Sequence, residues 1–366
     1  MKKKHPGKHG ERRYMNLDFW EGKRVFVTGH TGFKGGWMVL WLKKMGAIVK
    51  GYSLAPSTKP SLFEVANVAK GIESEIGDIR DLGMLKKAVL NFAPEIVIHM
   101  AAQPLVRHSY QDPVGTYQTN IMGTVNLLES VRHCKSVRAV VNVTTDKCYE
   151  NKEWVWAYRE NEPMGGHDPY SSSKGCSELI TSSYRRSFFN SDSNVALASA
   201  RAGNVIGGGD WSADRLIPDA LIAFEKKVPV VIRNPMANRP WQHVLEPICG
   251  YLMLAEKLYL SGNQFAEGWN FGPIDKDARP VSEVLDYLAK EWPGGASWVL
   301  DGLEKPHEAQ LLKLDISKAK IRLKWKPNWD LETAIHRIIE WHQAWLAGED
   351  MQNITLKQIS DYEFTI

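Results

Sequence analysis

The sequence predicts an α/β protein built on a doubly wound parallel sheet, with a smaller C-terminal α/β lobe. Three observations carry this. From residue 24 to residue 201, short β-branched apolar runs alternate with stretches of helical spacing. The runs are apolar on both faces, as in a sheet covered by helices on each side. Beyond residue 201 the pattern changes to Gly- and Pro-punctuated segments, and 366 residues exceed one ordinary domain.

In chain order, residues 24–28 (Arg-Val-Phe-Val-Thr) form the first strand and run into glycines. The stretch 35–45 places Trp37, Leu40, Trp41 and Met45 at helical spacing, completing a strand, turn and helix. Further strands are expected at 48–52, just before Asp78, and at 96–100, 139–144 and 195–201. Helices at 82–92, 115–134 and 170–190 lie between them. After residue 201, the turn-rich segments Gly207-Gly-Gly-Asp-Trp211 and Arg233-Asn-Pro-Met-Ala-Asn-Arg-Pro240 separate helices at 216–226, 246–260, 282–290 and 331–346.

Hydrophobic residues make up 43% and charged residues 24%, ordinary globular usage that argues against a disordered or fibrous chain. The net charge of +4 is small, and Lys2, Lys3, Lys4, Lys8, Arg12 and Arg13 concentrate it at the N-terminus. With no basic helix further on, residues 1–16 read as a flexible extension, Met15 being an alternative start, and no nucleic-acid partner is expected. Cys134, Cys148, Cys176 and Cys249 lack disulfide or metal spacing, so no metal is expected and a reducing cytoplasm fits. No apolar run nears the ~20 residues that cross a bilayer, so no membrane partner is expected.

Gly29-His-Thr-Gly32-Phe-Lys-Gly35 joins the first strand to the first helix. Glycines so spaced allow a tight turn, close approach of a pyrophosphate and packing of the helix on the sheet. The helix N-terminus offers that anion unpaired N–H groups and a positive dipole end. This marks a Rossmann-type dinucleotide site, with Gly29, Thr31, Gly32, Phe33 and Gly35 on the cofactor. The second strand ends Gly51-Tyr-Ser53-Leu, with neither the acid that holds the ribose of NAD nor an arginine for the 2′-phosphate of NADP, so this position leaves the choice open. Asp78 and Ile79 are placed at the adenine, and Ala101 and Ala102 where backbone meets the cofactor.

Tyr170 and Lys174 lie four apart in Pro169-Tyr-Ser-Ser-Ser-Lys174 and share one helix face. A neighbouring ammonium favours the phenolate, which brings a tyrosine into range as a general base. Spacing alone is weakly specific; following a glycine loop at this distance it is strong.

The loop 29–35, Asp78-Ile79, His99-Met-Ala-Ala102, Asn120 and the Tyr170–Lys174 pair, in this order, resemble the extended short-chain dehydrogenase/reductase family. The likeness runs from residue 22 to about residue 345. It implies a Rossmann domain over 17–200 and a substrate-binding lobe over 201–366 that mainly holds a nucleotide sugar, the chain crossing between them. It also implies NAD as catalytic cofactor, with Tyr170 and Lys174 on its ribose side, and a homodimer or dimer of dimers.

Thr144-Thr-Asp-Lys-Cys-Tyr149 follows the fifth strand and narrows the resemblance. Sugar epimerases of the family typically have Ser or Thr here without a following acid, whereas its 4,6-dehydratases carry Thr-Asp-Glu. In this chain Asp146 stands and Lys147 replaces the Glu. With Glu150-Asn-Lys-Glu-Trp154 and Arg239-Pro-Trp-Gln-His243, this resembles the branch that dehydrates CDP-D-glucose toward the dideoxy sugars of bacterial O-antigen. The resemblance gives Tyr170, assisted by Thr145, the C4 hydroxyl proton, and gives Asp146 the protonation of the departing C6 hydroxyl. Lys147 is either the base at C5 or a charge that balances Asp146.

Arg215, Arg233 and Arg239 fall in the lobe expected to bind a pyrophosphate, Arg239 foremost. By resemblance, Asn204 contacts the same phosphates, Leu216 and Pro218 line the base pocket, and His307 and Glu308 form a sugar-side turn. An arginine that relatives carry just after that turn is replaced by Gln310 and Leu311. Two other readings share part of this pattern. A nucleotide-sugar 4-epimerase needs no Asp146, and a dinucleotide-sensing protein without turnover usually lacks the Tyr–Lys pair.

Overall fold

The structure is a computed structural model and describes residues 15–232, 234–301 and 311–366. Residues 1–14, Arg233, His307 and Glu308 lie outside the described residues. Met15, read from the sequence as part of the extension, is buried against the core.

The strands are β1 (Arg24–Thr28), β2 (Ile48–Ser53), β3 (Glu73–Ile76), β4 (Ile96–His99), β5 (Ala139–Val143) and β6 (Ala196–Ala202). There follow β7 (Val205–Ile206), β8 (Val230–Ile232), β9 (Asn238–Pro240), β10 (Gln242–His243), β11 (Gly268–Phe271), β12 (Ala278–Pro280) and β13 (Trp298–Leu300). Seven of them pair in parallel in the order β11-β6-β5-β4-β1-β2-β3. From β3 to β6 this is the order of a doubly wound sheet, whose reversal between β1 and β4 opens a crevice beyond the carboxyl ends of the strands.

The helices are α1 (Phe33–Lys44), α2 (Leu62–Val65), α3 (Leu82–Phe92), α4 (Val106–Gln111), α5 (Pro113–Tyr117) and α6 (Gly123–Arg132). The later ones are α7 (Pro169–Ser187), α8 (Leu216–Glu225), α9 (Leu245–Ser261), α10 (Val281–Glu291), α11 (Leu331–Leu346) and α12 (Met351–Glu363). Alternation along each strand feeds two cores. Val25 and Val27 pack with residues of α1, α9 and α12, while Phe26 packs on the other face with Leu85, Val89 and Leu127. A third core ties α8, α10 and α11 together under the lobe. No helix among the described residues is long and apolar enough to cross a membrane.

One expected helix differs in a way that matters for the site. The helical stretch 115–134 is broken by a π-helical turn over Gln118–Met122, between α5 and α6. Such a turn adds a residue and re-aims a side chain. Here the Asn120 amide accepts from the Gln103 N–H at 2.8 Å and donates to the Gln103 carbonyl and to Ser173 Oγ, tying the loop after β4 to α7.

Candidate active site

Two glycines of the loop after β1 are dictated by contacts inside the protein. Gly29 has φ +77°, and a Cβ there would stand 2.7 Å from the Ala101 nitrogen; a Cβ on Gly35 would stand 2.0 Å from the Gly29 carbonyl oxygen. Gly32 differs. It is exposed, a Cβ would meet nothing closer than 3.4 Å, and it begins α1 with no side-chain cap. That open cradle at a helix N-terminus fits a dinucleotide pyrophosphate. Phe33 is half-buried beside Gly207. The Thr31 hydroxyl, 2.9 Å from Ser53 Oγ, donates to the Leu54 carbonyl and fastens the loop to the end of β2.

At the far side of the crevice, Arg80 donates twice to Asp78 Oδ2 and holds that carboxyl below the usual carboxylate range. Asn126 on α6 donates to the Ile79 and Arg80 carbonyls, both at 3.0 Å, and fixes this turn. The Ile79 side chain is buried in the core on the α3–α6 face of the sheet. Ala101 and Ala102 are half-buried, and the Ala101 N–H donates to Thr28 Oγ1 at 3.1 Å.

The reactive end is built where β5 meets α7. Asp168 caps α7 by accepting from the Ser171 N–H at 2.9 Å, and Pro169 fills the first turn. Tyr170 and Lys174, one turn apart, are thereby held at the end of β5, both buried. Burial pushes the Tyr170 phenol up to about 12, opposed by its hydrogen bond with Thr145 and by Arg215, and reinforced by Asp146. Burial also pulls the Lys174 ammonium down to about 8, against the attraction of Glu178. The Lys174 amine donates to the Val143 carbonyl at 3.3 Å. In the protein alone, desolvation is the largest influence on the Tyr170 phenol.

Thr145 Oγ1 donates to Asp146 Oδ1 at 2.9 Å. Asp146 is 1% exposed, yet its other oxygen, Oδ2, has no partner. That oxygen lies against Gly203, where a Cβ would be only 1.9 Å away. An unpartnered buried carboxylate oxygen costs stability, and sites of chemistry are where such a cost persists. Lys147 is half-buried and contributes its backbone N–H to Thr145 Oγ1 at 3.3 Å.

On the lobe side, Gly203 and Asn204 follow β6, Asn204 at φ +40° with its carbonyl accepting from the Gln242 N–H. Arg215 stands at the N-cap of α8, 3.0 Å from Asp210, and its charge reaches Tyr170. Leu216 is half-buried and Pro218 buried in the first turn of α8. Arg239 is buried on β9 and donates to the Asn238 carbonyl at 3.1 Å.

The model of the family described as GDP-mannose 4,6 dehydratase matches residues 26–338. The chain belongs to this family. Within it, the chain is 59% identical over 352 residues to the CDP-glucose 4,6-dehydratase of Salmonella typhimurium, covering 95% of this chain and 98% of that one. Its fold is that of the dTDP-glucose 4,6-dehydratase DesIV of Streptomyces venezuelae, solved with NAD and TYD bound. That likeness has TM-score 0.75 and 21% identity, over 89% of this chain and 99% of the other. The UDP-glucose 4-epimerase of Thermotoga maritima shares the fold too, at TM-score 0.78 and 23% identity, over 88% and 99% of the two chains.

Several residues of this family member escaped the sequence reading. Glu178, one turn beyond Lys174, accepts from Thr144, Ser199 and Arg201. Burial pushes its carboxyl up, but Arg201 and the two hydroxyls outweigh it and keep it ionised. The Arg201 guanidinium also donates to Tyr149 Oη at 2.7 Å, so the segment after β5 is braced against β6. The i, i+4 step from Lys174 was a visible signal for Glu178. Tyr251, buried on α9 with an unpartnered hydroxyl near Tyr170 and Asp146, gave none.

Proposed function

We propose that this chain is an NAD-dependent lyase that dehydrates CDP-D-glucose to CDP-4-keto-6-deoxy-D-glucose, for O-antigen sugar synthesis in the cytoplasm, and works as a homodimer. The observation that carries the reading is Asp146: a buried acid with one free oxygen, joined through Thr145 to Tyr170. A 4-epimerase has no task for that acid. The 59% identity to a CDP-glucose 4,6-dehydratase supports the same substrate. Exposed Tyr110, Val114, Met122 and Leu179 supply apolar surface on and beside α4–α7 for pairing of two copies.

The loop 29–35 and Lys174 are the groups that would hold NAD, and bound NAD supplies the acceptor and later the donor of the hydride. The chain's own groups handle the protons. Tyr170, with Thr145 on its hydroxyl, takes the C4 hydroxyl proton as C4 is oxidised. The ketone acidifies the C5 hydrogen, Lys147 or a group it organises removes it, and Asp146 delivers a proton to the departing C6 hydroxyl. Arg215 and Arg239 bind the pyrophosphate, with Asn204 on the same phosphates and Leu216 and Pro218 lining the base pocket; Arg233 and His307 belong to the same proposed set.

CDP-D-glucose deuterated at C4 tests the reaction directly. The expected product carries deuterium at C6; deuterium retained at C4, or a C4 epimer as product, would overturn the assignment. Arg239→Ala is expected to weaken CDP-glucose binding by about 1.5–3 kcal/mol, roughly ten- to hundredfold, while NAD binding changes little. Calorimetric titration with each ligand checks this, and equal losses for both would refute a phosphate role for Arg239.

A further inference from the structure

We propose that Gly203 and Gln242 are positioning residues for the dehydration step: the bare backbone of Gly203 seats the Asp146 carboxyl, and Gln242 holds that backbone in place. The proposal rests on the dehydratase reading above. Three separate elements meet here. Asp146 comes from the segment after β5, Gly203 from the turn between β6 and β7, and Gln242 from β10, which pairs with β7. The whole carboxyl group lies over Gly203: a Cβ there would stand 1.9 Å from Asp146 Oδ2, 2.3 Å from its carboxyl carbon and 2.9 Å from Oδ1. Gly203 does not have the positive φ that favours glycine, so space rather than backbone conformation demands it.

The seat is fixed from the far side. The buried Gln242 side chain donates through Nε2 to the Gly203 carbonyl at 3.2 Å and to the Phe271 carbonyl at the end of β11 at 3.0 Å, while its backbone N–H donates to the Asn204 carbonyl. One residue of β10 thus ties the turn after β6 to the neighbouring strand of the sheet. Opposite, Thr145 donates to Asp146 Oδ1 at 2.9 Å, so the carboxyl is held between that hydroxyl and Gly203. With the backbone bonded into strands on either side of the turn, a methyl group at position 203 displaces the short Asp146 side chain rather than the turn. The acid for the C6 hydroxyl then leaves its place, whereas the Tyr170 phenol and the glycine loop, which serve oxidation at C4, keep theirs. Gly203 and Gln242 therefore act through Asp146, on one step of the reaction.

Stopped-flow absorbance of reduced nicotinamide, product analysis and a double-mutant cycle test this on the full chain loaded with NAD. On mixing with CDP-glucose, Gly203→Ala should form reduced nicotinamide at close to the wild-type rate and then retain it, with dehydration slowed on the order of 10²-fold, the effect of a catalytic group displaced by about 1 Å. Gln242→Met, which removes the amide without adding a clash, should slow the same step by a smaller factor; it decides by the same criterion if Gly203→Ala does not fold. On an Asp146→Asn background, Gly203→Ala should add little further loss, because the group it acts through is already gone. A merely structural role would instead add its full cost there. Dehydration at the wild-type rate in both single variants, equal slowing of oxidation and dehydration, or additivity with Asp146→Asn would overturn the proposal. A wild type that forms no 4-keto-6-deoxy product from CDP-glucose would instead overturn the functional reading.

Discussion

Asp146→Asn is expected to arrest the reaction at the ketone, with dehydration slowed by about 10²–10⁴-fold, the range for a lost general acid. The substitution is conservative in shape. Asn Oδ1 can still accept from Thr145, and the amide nitrogen takes the place of the unpartnered Oδ2 against Gly203. What disappears is the proton for the C6 hydroxyl. On mixing with CDP-glucose, the near-ultraviolet absorbance of reduced nicotinamide should rise and persist, whereas in the wild type it is transient. Product at the wild-type rate would move the acid to another group. Substrate binding with no absorbance rise would move Asp146 into the oxidation step.

Tyr170→Phe should block the reaction one stage earlier, with a loss of about 10²–10⁴-fold and no absorbance rise at all. The ring is buried on α7 and remains so in phenylalanine, so the fold is expected to hold. The hydroxyl takes with it the hydrogen bond to Thr145 and the acceptor for the C4 proton. Stopped-flow absorbance beside product analysis separates the two variants. Turnover of Tyr170→Phe within a few-fold of wild type would refute its role.

Most of the Rossmann half was legible because its signals are local. Gly29 and Gly35 are forced by backbone approach, Asp168-Pro169 starts a helix by capping, and residues 82–92 carry a full amphipathic period that appears as α3; in the lobe, 331–346 does the same as α11. The C-terminal helix α12 was missed although Asp350 caps it and Met351, Ile359 and Tyr362 share its buried face. Its few apolar residues leave a weak period, and packing against α1 stabilises it, as where Trp41 Nε1 donates to Glu363. The π-helical turn at Gln118–Met122 was invisible for a related reason: the bonds that hold Asn120 come from Gln103 and Ser173, distant in sequence.

The sequence by itself determined the parallel α/β frame, the glycine loop and the Thr145–Asp146–Tyr170–Lys174 set, because each depends on spacing within one strand, turn or helix. Only the tertiary structure decided how those groups are charged. Burial raises the Tyr170 phenol and lowers Lys174, while Arg201 keeps Glu178 ionised. Charge states follow from desolvation and from neighbours contributed by other elements, and neither is written in the spacing of residues along the chain.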